Sequence, residues 1–178
     1  GSTRNGRFGP RVTDWFVARA HRRRELELDV VDLAAVRLPA TLTDNDEPAP
    51  AAVAELAPRL AAADAFVVVT PEYNHSIPGA FKNAFDSIAP EWMGKTVGFV
   101  SYGADNGVRA VEHWRTIVAN FQMHAVRQQV SLSLFTEFGD NGLQLEERRE
   151  GELTTLVEQL TDATRKFVLA DQLSGAAR

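Results

Sequence analysis

No cysteine occurs among the 178 residues, which removes disulfides, thiolate nucleophiles, thiolate zinc sites and cysteine-held iron–sulfur clusters together. Redox chemistry would need a borrowed cofactor. Positive charge is also short: 19 Lys and Arg stand against 24 Asp and Glu, for a formal net charge of -5 and a pI of about 5.4. No global positive field therefore recruits nucleic acid or an anionic membrane. No apolar run approaches the roughly 20 residues of a membrane span, and no signal peptide precedes the first motif, so a cytoplasmic protein is expected. The histidines, His21, His75, His113 and His124, have no short metal-ligand spacing, and no metal is assigned. His113 and His124 read as surface or core polar residues. The Gly-x-Ser-x-Gly elbow of hydrolases is missing too, because Phe99 and Asn74 occupy the needed glycine positions.

What is present is a hydrophobic content of 44%, enough for one globular domain over residues 1–178. Apolar runs alternate with helical patterns, which argues for an α/β protein with a parallel sheet. Helices are predicted over Pro10–Arg24, Ala51–Ala63, Pro78–Ser87, Gly107–Gln122 and Glu146 to about Leu173. Pro58 should kink the second or mark its restart. Strands are predicted over Leu26–Leu33, Ala65–Val69, Thr96–Ser101 and Ala125–Leu134; "AFVVV" and "TVGFVS" are apolar on both faces, as in central strands covered on each side. Every other helix follows a strand, yet the first follows only "GSTRNGRFGP", so a further strand is expected before Gly1. The alternative is that Gly1 and Ser2 are a cloning scar. The pair Trp114 and Phe121, at i and i+7, reads as core or partner interface, and the charge run Glu146–Glu150 as a solvated helix face.

Ligands of open parallel sheets bind where strand-to-helix loops gather, and three loops qualify. "GSTRNGR", Gly1–Arg7, sets glycine and hydroxyl residues before a helix N-terminus, where unpaired N–H groups favour an anion. It reads as a phosphate cradle or as an ordinary loop. Gly1 and Gly6 have the Walker A spacing, but Arg7 and Phe8 replace its lysine and hydroxyl, which argues against a nucleotide triphosphatase. "TPEYNHSIPGAFKN", Thr70–Asn83, holds Glu72, Tyr73 and His75 between Pro71, which should stop strand pairing, and Pro78, which should start the next helix. Asn74 or Ser76 could cap that helix, but capping explains none of their neighbours. "SYGADNG", Ser101–Gly107, again sets small residues and an aromatic at a strand end, with Gly103 permitting close approach to a planar ligand.

With "GSTRNGR", "TPEYNHSIPGAFKN" and "SYGADNGVRA" in this order over most of its length, the chain resembles the flavodoxin-like NADPH-dependent FMN reductases, which include quinone, azo and chromate reductases. The resemblance implies a flavodoxin-like three-layer sandwich with a five-stranded parallel sheet in the order 2-1-3-4-5, its central strand being the one expected before Gly1. It implies that Ser2, Arg4 and Arg7 hold the FMN phosphate. Pro71, Glu72, Tyr73 and Asn74 should line the isoalloxazine, and Ser101, Tyr102 and Gly103 should close another side. No side chain is implied as catalytic, since the flavin carries the chemistry. NADPH or NADH would donate hydride by a ping-pong route, and a quinone, azo compound, chromate or free flavin would accept the electrons. A homodimer or homotetramer is implied as well, with Trp92, Trp114 and Phe121 as candidate contacts. The alternative is a flavodoxin-type one-electron carrier; no feature points to a flavin protein without turnover.

Overall fold

The computed structural model describes residues 1–43, 47–140 and 142–176. Its centre is β2, Thr96–Gly103, in which all eight residues are buried. Such a strand needs cover on both faces and a partner on both edges, and it has them. β1, Ala65–Pro71, pairs with it in parallel from Ala65 opposite Thr96 to Pro71 opposite Tyr102. β3, His124–Ser133, pairs in parallel on the other edge, with an irregularity opposite Val97–Phe99. Alternation along β2 sends Val97 and Phe99 to one face and Val100 and Tyr102 to the other. Helices α1, Gly9–Ala20, and α6, Arg148–Ala176, cover the Val100 and Tyr102 face. Helices α3, Ala51–Ala62, α4, Gly79–Ser87, and α5, Val108–Asn120, cover the Val97 and Phe99 face. The result is a flavodoxin-like α/β arrangement of three layers, with two apolar clusters separated by the sheet.

Several sequence expectations change. The predicted strand Leu26–Leu33 carries no regular secondary structure over 26–32, and at Leu33 the chain enters a four-residue helix, α2, Leu33–Val36. A strand requires a ladder partner, and among the described residues none occupies the free edge of β1. Leu26 and Leu28 still pack against the α1 cluster. The first helix stops at Ala20, and Arg22–Arg24 follow in turns. Helix α3 runs through Pro58 without a restart, its inner face held by buried Leu56 and Leu60. Pro71 does not end pairing. Glu72 N donates to Tyr102 O at 3.1 Å, so by alternation the Pro71 nitrogen faces away from β2, where no donor is needed.

Trp92, Trp114 and Phe121 are all interior, packed around Phe85, whose ring stacks on Trp92 with centroids 4.2 Å apart. They cannot serve as subunit contacts. The Glu146–Glu150 run is not simply solvated either: Arg149 is buried against Glu137, with Nε–Oε1 2.7 Å and Nη2–Oε2 3.0 Å. Two short strands, β4, Phe138–Gly139, and β5, Gly142–Leu143, form an unanticipated antiparallel hairpin after β3. Its Phe138 meets Phe8 edge-on at 5.0 Å and Tyr102 at 5.9 Å.

Candidate functional site

The three loops singled out in the sequence meet at the carboxyl ends of β1 and β2. Hydrogen bonds tie the first to the second and the second to the third. Ser2 is buried, and its Oγ lies 2.5 Å from the Tyr73 hydroxyl. The Arg4 amide approaches the same Oγ at 3.4 Å, while the Arg4 guanidinium lies 5.4 Å from the Tyr73 ring centre. Arg4 has no carboxylate partner among the described residues. Arg7 is differently placed. Its Nη1 and Nη2 each reach Asp32 at 2.6 Å, and Nη1 also donates to the Ser2 carbonyl at 3.1 Å. The Asp32 hydrogen bond raises the Arg7 pKa, and reciprocally holds the Asp32 carboxyl below its usual range. Asp32 Oδ1 also caps α2 by accepting from Ala34 N at 3.1 Å.

In the second loop Tyr73 and Ser76 exchange backbone hydrogen bonds, 2.9 Å and 3.0 Å, around Asn74 and His75. Both central residues have positive φ, 48° and 69°, so the segment is a tight two-residue hairpin turn. Left-handed backbone costs an ordinary residue roughly 1–2 kcal/mol, and His75 bears it without glycine's freedom. Neither Asn74 nor Ser76 caps α4, whose N-cap is Pro78 with no side-chain bond. Ser76 Oγ instead sits 2.7 Å from His113 Nδ1 on α5. Pro71 packs in the strand above Thr70, whose Oγ1 accepts the Trp114 indole N–H at 3.2 Å.

The third loop folds against Glu72. Arg109 donates through Nε to Glu72 Oε1 at 2.5 Å and through its amide to Oε2 at 3.2 Å, while Nη2 pairs with both Glu72 and Asp105. The Glu72 side chain is 5% exposed and that of Arg109 36%. Glu72 is the first cause of a raised Arg109 pKa. Close approach explains the glycines: a Cβ on Gly103 would lie 3.0 Å from Gly107 N and 3.2 Å from Glu72 Cβ, and Gly107 itself has φ 71°. Ser101 is buried, donating from Oγ to Asn106 O at 2.8 Å, with Ser131 Oγ at 3.1 Å. Tyr102 points to the opposite face, into the α1 cluster, and its buried hydroxyl has no hydrogen-bond partner.

Comparison with known proteins assigns this arrangement. The sequence profile of the NADPH-dependent FMN reductases matches residues 1–137. The chain belongs to this family. It is 33% identical over 114 residues to an NAD(P)H-dependent FMN reductase of Saccharomyces cerevisiae, covering 58% of this chain and 59% of that protein. A quinone reductase of Escherichia coli is 41% identical over 80 residues, 42% of this chain and 43% of its own. The chain thus spans little more than half the length of the yeast relative. Among solved structures, the flavoenzyme FerB of Paracoccus denitrificans superposes with a TM-score of 0.74 at 22% identity, covering 91% of this chain and 94% of that one.

The reductase family's cofactor can be tested against what is present. An FMN phosphate needs donors and a cation, and the first loop offers free Arg4, the Ser2 hydroxyl and a helix, α1, whose N-cap Phe8 makes no side-chain bond. The orphaned Tyr102 hydroxyl beside it is a further unspent donor. For the isoalloxazine the strand ends offer the backbone of the Tyr73–Ser76 turn, whose Asn74 and His75 are exposed, whereas the space beside Gly103 is already taken by Gly107 and Glu72. The residues fit the group. Among the described residues no cluster of three His, Asp or Glu could hold a metal.

Asp32, Arg109 and His113 were missed by sequence reasoning. Arg109 stands in the motif "SYGADNGVRA", but nothing in a linear string says that it reaches Glu72, 37 positions earlier. Asp32 sat in a predicted strand, with no signal pointing to Arg7. His113 faces Ser76 only because α5 lies beside the second loop.

Proposed function

We propose that this protein is an FMN-dependent oxidoreductase that takes a hydride from NADPH or NADH and passes electrons to a quinone, an azo compound, chromate or free flavin. The observation that carries the reading is the linkage of three loops by Ser2–Tyr73 and Glu72–Arg109, which gathers at one end of the sheet what the sequence spreads over a hundred residues. In it Ser2 and Arg4 hold the phosphate. Pro71, Glu72, Tyr73 and Asn74 line the flavin ring, chiefly through backbone, and Ser101 and Gly103 border it. Arg7 braces the first loop through Asp32, its fork being occupied. Bound FMN would supply hydride acceptance and release, which no side chain here can perform.

Glu72 positions its loop and moves no proton, because both its oxygens are engaged by Arg109. Nicotinamide and acceptor would use the same exposed flavin face in turn. The chain's likeness to the E. coli quinone reductase and to a Bacillus NADPH azoreductase, 30% identical over 122 residues, supports this acceptor class. The reading extends to a cytoplasmic homodimer or homotetramer and to the five-stranded order 2-1-3-4-5, for which the free edge of β1 and the unpaired segment 26–32 leave a place.

The test is reconstitution with FMN followed by steady-state kinetics with both nicotinamides against a quinone, an azo dye and chromate. Parallel double-reciprocal lines are expected. Bound FMN that neither nicotinamide bleaches would sink the reductase reading and favour an electron carrier; intersecting lines would sink the shared face.

A further inference from the structure

Building on the FMN reading, we infer that the Tyr102 hydroxyl is a ligand of the flavin phosphate rather than part of the isoalloxazine wall. Tyr102 is 3% exposed. Strand alternation sends Ser101 towards Asn106 and Ser131, and Tyr102 through the opposite face of the sheet towards α1. There its hydroxyl comes to the first residue of that twelve-residue helix. It lies 3.2 Å from the point a Cβ on Gly9 would occupy, and the Ser2 Cβ lies 3.8 Å from the same point. Gly9, Ser2 and Tyr102 thus converge at the N-terminus of α1.

That N-terminus lacks a side-chain cap, and Pro10 in the first turn removes one N–H without supplying an acceptor. The Ser2 Oγ is engaged with Tyr73. Among the described residues the buried Tyr102 hydroxyl makes no well-formed hydrogen bond, and its hydrogen-bonding neighbour, the Ser2 hydroxyl, is already shared with Tyr73, an arrangement that destabilises the empty protein. An anion at this spot would satisfy the helix N–H groups and the phenol together, with Arg4 on the same loop as counter-charge. Burial raises the Tyr102 pKa, so the group meets the anion as a neutral donor instead of a phenolate. A phosphate monoester, the group that distinguishes FMN from riboflavin, has the required acceptor oxygens.

The experiment compares wild type with Tyr102→Phe, which keeps the ring and removes only the hydroxyl. Fluorescence titration should show FMN bound about ten- to a hundredfold more weakly by the variant, as for a hydrogen bond to a charged group, with riboflavin affinity unchanged. The flavin-free variant should melt no lower than wild type, because an unpaired buried hydroxyl has been removed. Unchanged FMN affinity, or an equal loss for FMN and riboflavin, would overturn the assignment. A further arm separates it from the reading beneath it. If wild type binds neither flavin, the FMN reading fails, and the melting shift caused by inorganic phosphate then decides: present in wild type and lost in Tyr102→Phe it upholds the pocket, and equal or absent in both it overturns it.

Discussion

Two Glu–Arg pairs, Glu137–Arg149 and Glu72–Arg109, use the same chemistry at opposite depths. In the first, the side chains are 0% and 4% exposed, Glu137 also accepts from Ser133 N at 2.8 Å, and Arg149 reaches Glu152 as well. Every oxygen and most of the guanidinium fork are spent on protein. In the second the carboxylate is nearly as hidden, but the arginine is 36% exposed and joins the second loop to the third. Burial opposes the charge on Arg149, and the hydrogen bonds to Glu137 and Glu152 overcome it and raise its pKa. The difference teaches what each is for. A sealed pair locks the turn after β3 to α6 and can do nothing else, whereas a pair open on one side can hold two loops together and still adjust to a ligand between them.

The sharpest way to break the comparison is Arg149→Met, which strands the Glu137 carboxylate in the interior. A loss of about 3–5 kcal/mol is expected, read from the urea midpoint. A loss under about 1 kcal/mol would mean that water reaches Glu137 and that the pair is not sealed. Next comes Arg4, which has no acid partner among the described residues and should therefore spend its charge on ligand. Arg4→Ala should weaken FMN binding by roughly 1.5–3 kcal/mol, about ten- to a hundredfold, in a fluorescence titration. Unchanged affinity would remove Arg4 from the site.

Arg109→Met sharpens the contrast from the other side. Its melting temperature should fall by less than that of Arg149→Met, while FMN affinity drops where Arg149→Met leaves it nearly intact in the folded fraction. Equal melting losses would erase the distinction between the two pairs. The smallest effect belongs to Arg7–Asp32, with side chains 21% and 38% exposed. Arg7 holds the Asp32 carboxyl below its ordinary 3.8, so the folded form binds the proton less readily than the unfolded chain. The resulting stability is present above pH 3.8 and is lost as pH falls through the lower folded value. Exposure limits it to about 1 kcal/mol or less. Asp32→Asn should be less stable than wild type near neutral pH, and the gap should close in urea melts as pH falls below 3.8 through the depressed folded value.

The three candidate loops were legible because their chemistry is local. A glycine- and hydroxyl-bearing stretch before a helix, and a polar turn between two prolines after an apolar strand, need only near neighbours to be recognised. Five helices and three of the four expected strands were legible for the same reason, since periodicity is carried along the chain. The Leu26–Leu33 strand failed because a strand is a relation between two segments, and its alternation speaks for only one of them.

By itself, then, the sequence determined the alternation of helices with parallel strands, the two-faced burial of β2, and the residues of three candidate loops, all set by spacing and side-chain type. The tertiary structure alone decided which polar groups are spent and which remain free. It turned Arg7 onto Asp32 and left Arg4 open, buried Arg149 from the middle of a charge run, and took Trp92, Trp114 and Phe121 out of contention for an interface. It also brought the buried Tyr102 hydroxyl to a helix terminus without a well-formed hydrogen bond among the described residues. The physical reason is that a hydrogen bond or an ion pair depends on distances of about 3 Å between atoms that the chain can separate by any number of residues; only folding sets those distances.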